Sequence, residues 1–76
     1  MKKHYVTFGQ DHRHIIDNVI FDKDCVAVFE TETSTKGREE AFRLFGAKFC
    51  FEYHGDEFNQ ESLRYFPLGF VEVPRA

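Results

Sequence analysis

The residues best suited to chemistry in this chain lie in a short polar stretch that runs from Gln10 to His14. Gln10, His12 and His14 are spaced two residues apart, so an extended backbone directs their side chains to one face. Imidazole rings can donate hydrogen bonds to phosphate oxygens, and a carboxamide can pair with the edge of a base. The spacing therefore predicts a binding surface for a small anionic ligand, such as a nucleotide.

Neighbouring residues add to this predicted surface. Lys23 brings a positive charge, Phe8 offers a ring for stacking, and Gly9 permits close approach of the backbone. The candidate ligand-binding residues are therefore Phe8, Gly9, Gln10, His12, Arg13, His14 and Lys23. The alternative is that the two histidines are surface residues at the tip of a hairpin without a function in binding, and that the Lys23 side chain is solvated.

The same histidines suggest a second chemistry, because an H-x-H pair on a strand is a common half-site for zinc. The third and fourth ligands would be Cys25, Asp22, Asp24 or His54, of which the expected strand pairing brings Cys25 to the face of His12 and His14. No second spaced pair of ligands follows in the sequence. We therefore expect no cofactor and no catalytic residues, with a zinc-binding or hydrolytic protein that uses His12, His14 and Cys25 as the alternative.

A long N-terminal hairpin, over residues 4–31, is expected to position these side chains. Asp17 and Asn18 form a turn signal, because both residue types tolerate positive φ. A two-residue loop there pairs residue 14 with 21 near the tip and residue 6 with 29 near the base. The face that carries the histidines would then be apolar toward the base of the hairpin, through Val6, Phe8, Cys25, Ala27 and Phe29.

The remaining pattern predicts a helix, a strand, a short helix and a final strand. Thr33-Ser34-Thr35 offers an N-cap and Gly46 a C-terminal stop, and the stripe of Arg38, Ala41, Phe42 and Phe45 follows helical spacing. Residues 48–53 form a third strand with Phe49, Phe51 and Tyr53 on its apolar face. Asn59 caps a short helix over residues 60–66, and residues 70–73 form the last strand. The predicted fold is a single α+β domain over residues 1–76, an antiparallel sheet in the order β-β-α-β-α-β with both helices on one face.

Composition limits the classes of function. The chain has 76 residues, of which 42% are hydrophobic, so it is too apolar to be disordered. Its net charge is −3, which argues against a nucleic-acid-binding surface. No apolar run is long enough to span a membrane, and no signal peptide is evident, so we expect a cytoplasmic protein without membrane contact. In that compartment the two cysteines should be reduced, and we expect them to be packed in the core. A domain this small is marginally stable, which favours a homo-oligomer or a bound partner.

Four segments of the chain, FGQDHRH (8–14), FDKDCVA (21–27), FGAKFC (45–50) and FPLG (66–69), resemble small bacteriophage-encoded proteins of uncharacterised type. The resemblance implies a protein made in the cytoplasm of an infected bacterium. Short phage proteins of this size often act by binding and blocking a target, including components of host defence. We therefore expect a non-enzymatic, counter-defence binding protein that captures a small anionic or nucleotide ligand or inhibits a host protein. A purely structural interaction domain is the third hypothesis.

Overall fold

The computed structural model describes residues 2–74, apart from the side chain of Asp56, and confirms the α+β class. Two sheets are built from six strands: β1 (Lys2–Thr7), β2 (His14–Ile16), β3 (Val19–Phe21), β4 (Cys25–Thr31), β5 (Phe51–His54) and β6 (Gly69–Glu72). One α-helix, α1 (Ser34–Phe45), precedes β5, and two 3-10 helices, η1 (Gly55–Glu57) and η2 (Gln60–Tyr65), precede β6. The observed order is therefore longer than the predicted β-β-α-β-α-β, because each strand of the predicted hairpin is divided in two.

The larger sheet has the strand order β5-β1-β4-β6 and is mixed, not antiparallel as predicted. β1 is antiparallel to both β4 and β5, whereas β4 and β6 are parallel. The parallel pair arises because η1 and η2 carry the chain from one edge of the sheet to the other before β6 begins. Such a crossover returns the chain in its original direction, which a tight turn cannot do.

The predicted hairpin is correct at its tip but not at its base. His14 pairs with Phe21 in the two-stranded sheet, and Asp17 and Asn18 both have positive φ, at 49° and 69°. At the base, Val6 pairs with Ala27 instead of residue 29. Residues 8–13 are not paired in the ladder. The chain between the two paired positions is therefore two residues longer on the first side of the hairpin (6–14) than on the second (21–27). Because that shift is even, the side chains of the paired strands keep their predicted faces.

The helices lie on opposite faces of the larger sheet, so their predicted placement on one face is wrong. Ala41 and Phe45 of α1 pack on the face that carries Val6, Phe8, Phe21, Cys25, Ala27 and Phe29. The other face carries Tyr5, Val26 and Val28, and it is covered by Phe58, Leu63 and Phe66 from the η1–η2 region. Alternate residues of β1 and β4 therefore enter two separate cores, which explains why almost all of β4 is buried.

The ends of α1 agree with the sequence, but its buried stripe does not. The Thr33 hydroxyl accepts a hydrogen bond from the Lys36 N–H (3.1 Å), and Gly46, at φ 63°, ends the helix. The buried residues of α1 are Gly37, Ala41 and Phe45, spaced four apart. The predicted burial of Phe42 is wrong: it is 46% exposed, and its ring lies against Phe49 at the flank of the core with the Arg38 guanidinium over it.

We expect Phe45→Ala to destabilise the domain by about 3–5 kcal/mol, as the loss of a buried ring usually does. Phe45 is 3% exposed and its ring centroid lies 4.9 Å from that of Phe8 in an edge-on contact. Phe42→Ala, on the same helix, should cost about 1 kcal/mol or less because that ring is half exposed. Urea denaturation of both variants measures the difference. Equal losses would mean that the helix is rotated relative to the sheet.

Candidate functional site

The candidate binding residues are divided among three segments. Gly9, Gln10, His12 and Arg13 lie in the connection 8–13, His14 begins β2, and Lys23 lies in the 22–24 connection. The backbone turns over residues 9–11, where Gly9 has a φ of 64°, so the alternation of an extended strand does not continue through this segment. Gln10, His12 and His14 therefore do not form one strand face.

His14 faces the interior of the protein. Its Nε2 donates to the Lys48 carbonyl at 2.7 Å, and its ring lies against Phe8 and Phe45, at centroid distances of 5.6 and 5.0 Å. This hydrogen bond connects β2 to the chain that leaves α1. His12 instead lines a recess of about 340 Å³ with Gly9 and Gln10.

Gly9, Gln10 and Lys23 meet at a larger cavity of about 440 Å³. This volume lies within the range of small-molecule sites, which is about 300–1,000 Å³. The cavity lies between the exposed side of β5 and η2. Its aromatic lining residues are Phe51, Tyr53, Phe58, Tyr65 and Phe66, and its polar lining includes Glu57, Asn59 and Ser62.

Some rings of the aromatic wall are buried and others are exposed to solvent. The Phe58 ring is 8% exposed and contacts Tyr5, Tyr53 and Phe70 at centroid distances of 5.2–5.7 Å. Phe51 and Tyr65 are 57% and 67% exposed. Aromatic faces left in water stack favourably with a flat ligand.

The charges on the cavity wall are separated along β5. Gly9 and Gln10 follow β1 on the Thr7 side, where Phe51 begins β5, and Glu57 follows the other end of β5. The Lys23 ammonium donates to Asp24 at 2.9 Å, and this hydrogen bond, with the charge of Asp24, raises the pKa of Lys23. Lys23 therefore stays protonated throughout the physiological range.

The two cysteines occupy different environments. Cys25 is fully buried, and burial raises the pKa of its thiol, which makes it a poor nucleophile. Cys50 is exposed, so its predicted place in the core is wrong. Both thiols are free. Cys50 lines the cavity beside Gly9. A Cβ added at position 9 would lie 3.5 Å from the Cys50 Cβ, which is an ordinary contact distance.

Among residues 2–74, the group of potential metal ligands that converges in space is His4, Glu52 and His54, not the predicted His12, His14 and Cys25. The sequence did contain a signal for this group. His4 alternates with Val6 and Phe8, which places an imidazole on the buried face, and Glu52 and His54 alternate on the third strand. What the sequence lacked was the pairing of β1 with β5.

No protein-family model, curated protein or solved structure matches this chain. Within the described part of the chain, no helix has the length and apolar character needed to cross a membrane.

Proposed function

We propose that this protein is a non-enzymatic binding protein for a small ligand that carries a flat ring and an anionic group, the chemistry of a nucleotide. The observation that carries the proposal is the cavity between β5 and η2, where Gln10 and Lys23 stand beside aromatic rings. A pocket with apolar walls and a few convergent polar groups is the usual form of a small-molecule site.

Stacking supplies the first part of the proposed recognition. Phe51 and Tyr65 line the cavity and are each more than half exposed. A base placed against these rings would cover apolar area that water now contacts, and each such stack contributes about 1–3 kcal/mol. Any base can stack on an aromatic ring, so stacking adds affinity but discriminates little between bases.

Polar contacts at the Gly9 end supply the second part. The Lys23 ammonium can attract a phosphate, and the Gln10 carboxamide can donate to one of its oxygens. Glu57, after the far end of β5, can accept a hydrogen bond from an amino group of the ligand. A nucleoside monophosphate has an anionic end and a ring with donors, which matches this order of charges.

The resemblance to small bacteriophage-encoded proteins suggests a setting for this activity. In an infected bacterium, a protein that sequesters a nucleotide could remove a signal on which host defence depends. The proposed role is therefore capture without turnover.

Calorimetric titration with AMP, adenosine and inorganic phosphate tests the proposal. We expect AMP to bind more tightly than either fragment, and Lys23→Gln to weaken AMP binding by about tenfold or more, since a charged hydrogen bond contributes about 1.5–3 kcal/mol. Lys36→Gln is the matched control, because Lys36 is an exposed lysine of α1 that also forms an ion pair. The proposal is wrong if AMP does not bind at millimolar concentration, or if both variants weaken it equally.

A further inference from the structure

A cluster of three metal-ligating side chains lies on the α1 face of the sheet, across β5 from the cavity. His4 of β1 and His54 of β5 are direct partners in the antiparallel ladder, so their side chains share a face. Glu52 precedes His54 by two residues and joins them on that face. One potential ligand atom from each residue lies within 4.8 Å of the others.

The hydrogen bonds around His4 assign its tautomer. The Thr31 hydroxyl donates to the Thr33 carbonyl at 2.7 Å, so its oxygen must accept from His4 Nε2, which is also 2.7 Å away. Nε2 therefore carries the proton of the neutral ring. His4 Nδ1 is left with a lone pair that faces Glu52 Oε2 at 3.3 Å.

His54 brings the second imidazole to this cluster. Its Nε2 lies 3.3 Å from Glu57 Oε1, at the distance of an ion pair. His54 Nδ1 is buried without a hydrogen-bond partner and lies 3.5 Å from the same Glu52 Oε2. Three potential ligand atoms therefore converge, and one of them is buried and unpaired.

We propose that His4 Nδ1, His54 Nδ1 and the Glu52 carboxylate bind a divalent transition metal of the zinc class. A cation at this point would satisfy all three lone pairs, one of which is otherwise buried and unpaired. Imidazole nitrogens select zinc and its neighbours over magnesium and calcium, which prefer oxygen ligands.

The separations between Glu52 and the two imidazole nitrogens fit this metal. Zinc bonds of about 2.0 Å at a tetrahedral angle place two ligand atoms roughly 3.3 Å apart. The two nitrogen–oxygen distances, 3.3 and 3.5 Å, agree with that spacing. They are longer than the roughly 2.7–2.9 Å of a charged hydrogen bond, so they fit a proton shared between the groups less well.

The surroundings hold both imidazoles in position. The Thr31 hydroxyl accepts from His4 Nε2, and the Glu57 carboxylate lies 3.3 Å from His54 Nε2. Partners at the outer nitrogen orient the rings of metal-bound histidines. The His4 ring stacks on Phe29 at 5.3 Å and lies against Gly37 on the other side. His4 is fully buried and the His54 side chain is 38% exposed, so a metal would enter from the His54 side. Three protein ligands leave a fourth position for water there.

Metal uptake by the full chain tests the proposal. Protein stripped with EDTA is dialysed against zinc, and bound metal is measured by mass spectrometry and the affinity by calorimetry. We expect one zinc per chain, with binding weakened at least a hundredfold by His54→Ala and by Glu52→Gln. Glu57→Gln, which changes the group beside His54 Nε2 and the His54 backbone N–H but no proposed ligand, should weaken it about tenfold. Cobalt substitution should give the intense visible absorption of a four-coordinate site.

His12→Ala is the matched control, since His12 is a partly exposed histidine outside the cluster, and it should leave zinc binding unchanged. Circular dichroism identifies which variants are folded. His54 is the most exposed of the three ligands, so we expect His54→Ala to remain folded and to test zinc binding even if the other variants do not fold. Wild-type protein that takes up no zinc would overturn the proposal and indicate a protonated imidazole in the cluster. Zinc bound equally by wild type and His54→Ala would overturn it too.

Discussion

Gly37→Ala is expected to destabilise the domain by about 3 kcal/mol or more, or to prevent folding. A Cβ at position 37 would lie 1.9 Å from Cε1 of His4 and 2.2 Å from both ring nitrogens. The ring cannot move aside, because it stacks on Phe29 and is hydrogen-bonded to Thr31. Overpacking by one methyl commonly costs about 1–3 kcal/mol, and this overlap is far closer than an ordinary core contact. Urea denaturation measures the loss.

The sign of this effect makes the experiment decisive. Glycine in the middle of a helix is normally less stable than alanine by about 0.5–1 kcal/mol, so the same change at an open position would stabilise α1. Thr35→Ala, at an exposed position of this helix, is the control and should change stability by less than about 0.5 kcal/mol. The double variant His4→Ala/Gly37→Ala removes the overlap and should be more stable than Gly37→Ala alone. A Gly37→Ala protein as stable as wild type would show that α1 does not lie against His4.

Zinc at about a hundred times its Kd is expected to raise the Tm by on the order of 10 °C or more. A ligand that binds only the folded state at that excess contributes about 2.7 kcal/mol. In a domain of this size each kcal/mol shifts the Tm by about 4–8 °C. The shift is large because His4 and His54 lie on strands distant in sequence, so the unfolded chain cannot present the same three ligands together.

Differential scanning calorimetry with and without zinc measures this shift, and EDTA should reverse it. His54→Ala should show no shift, whereas His12→Ala should show the full one. Magnesium should have no effect on wild type, since it binds imidazole poorly. An equal shift in wild type and His54→Ala would mean that zinc acts elsewhere on the chain.

Local signals in the sequence predicted local structure correctly. Thr33 caps α1, Gly46 ends it, and Asp17-Asn18 forms the turn between β2 and β3. Each of these features depends on backbone conformations or hydrogen bonds within a few residues, so residue type alone carries most of the information. The buried face of the hairpin was also predicted, because alternation survives a shift of two residues.

Features that depend on distant contacts were not predicted. The buried stripe of α1 includes Gly37 because the His4 ring occupies the space a side chain would fill, and nothing near Gly37 in sequence indicates this. The convergence of His4 with Glu52 and His54 depends on pairing between the first and fifth strands. The Gln10–His14 spacing predicted a single binding face, but residues 9–11 form a turn, so these side chains do not lie on one extended strand.

The position of β1 inside the larger sheet has a consequence for folding kinetics. Its two neighbours, β4 and β5, come from well beyond it in the chain. Among the ladders of residues 2–74, the one between β2 and β3 joins adjacent segments. The chain must therefore lose the entropy of closing long loops before this strand gains any hydrogen bonds. Domains dominated by such non-local pairings fold in milliseconds to seconds, more slowly than helical proteins of equal length.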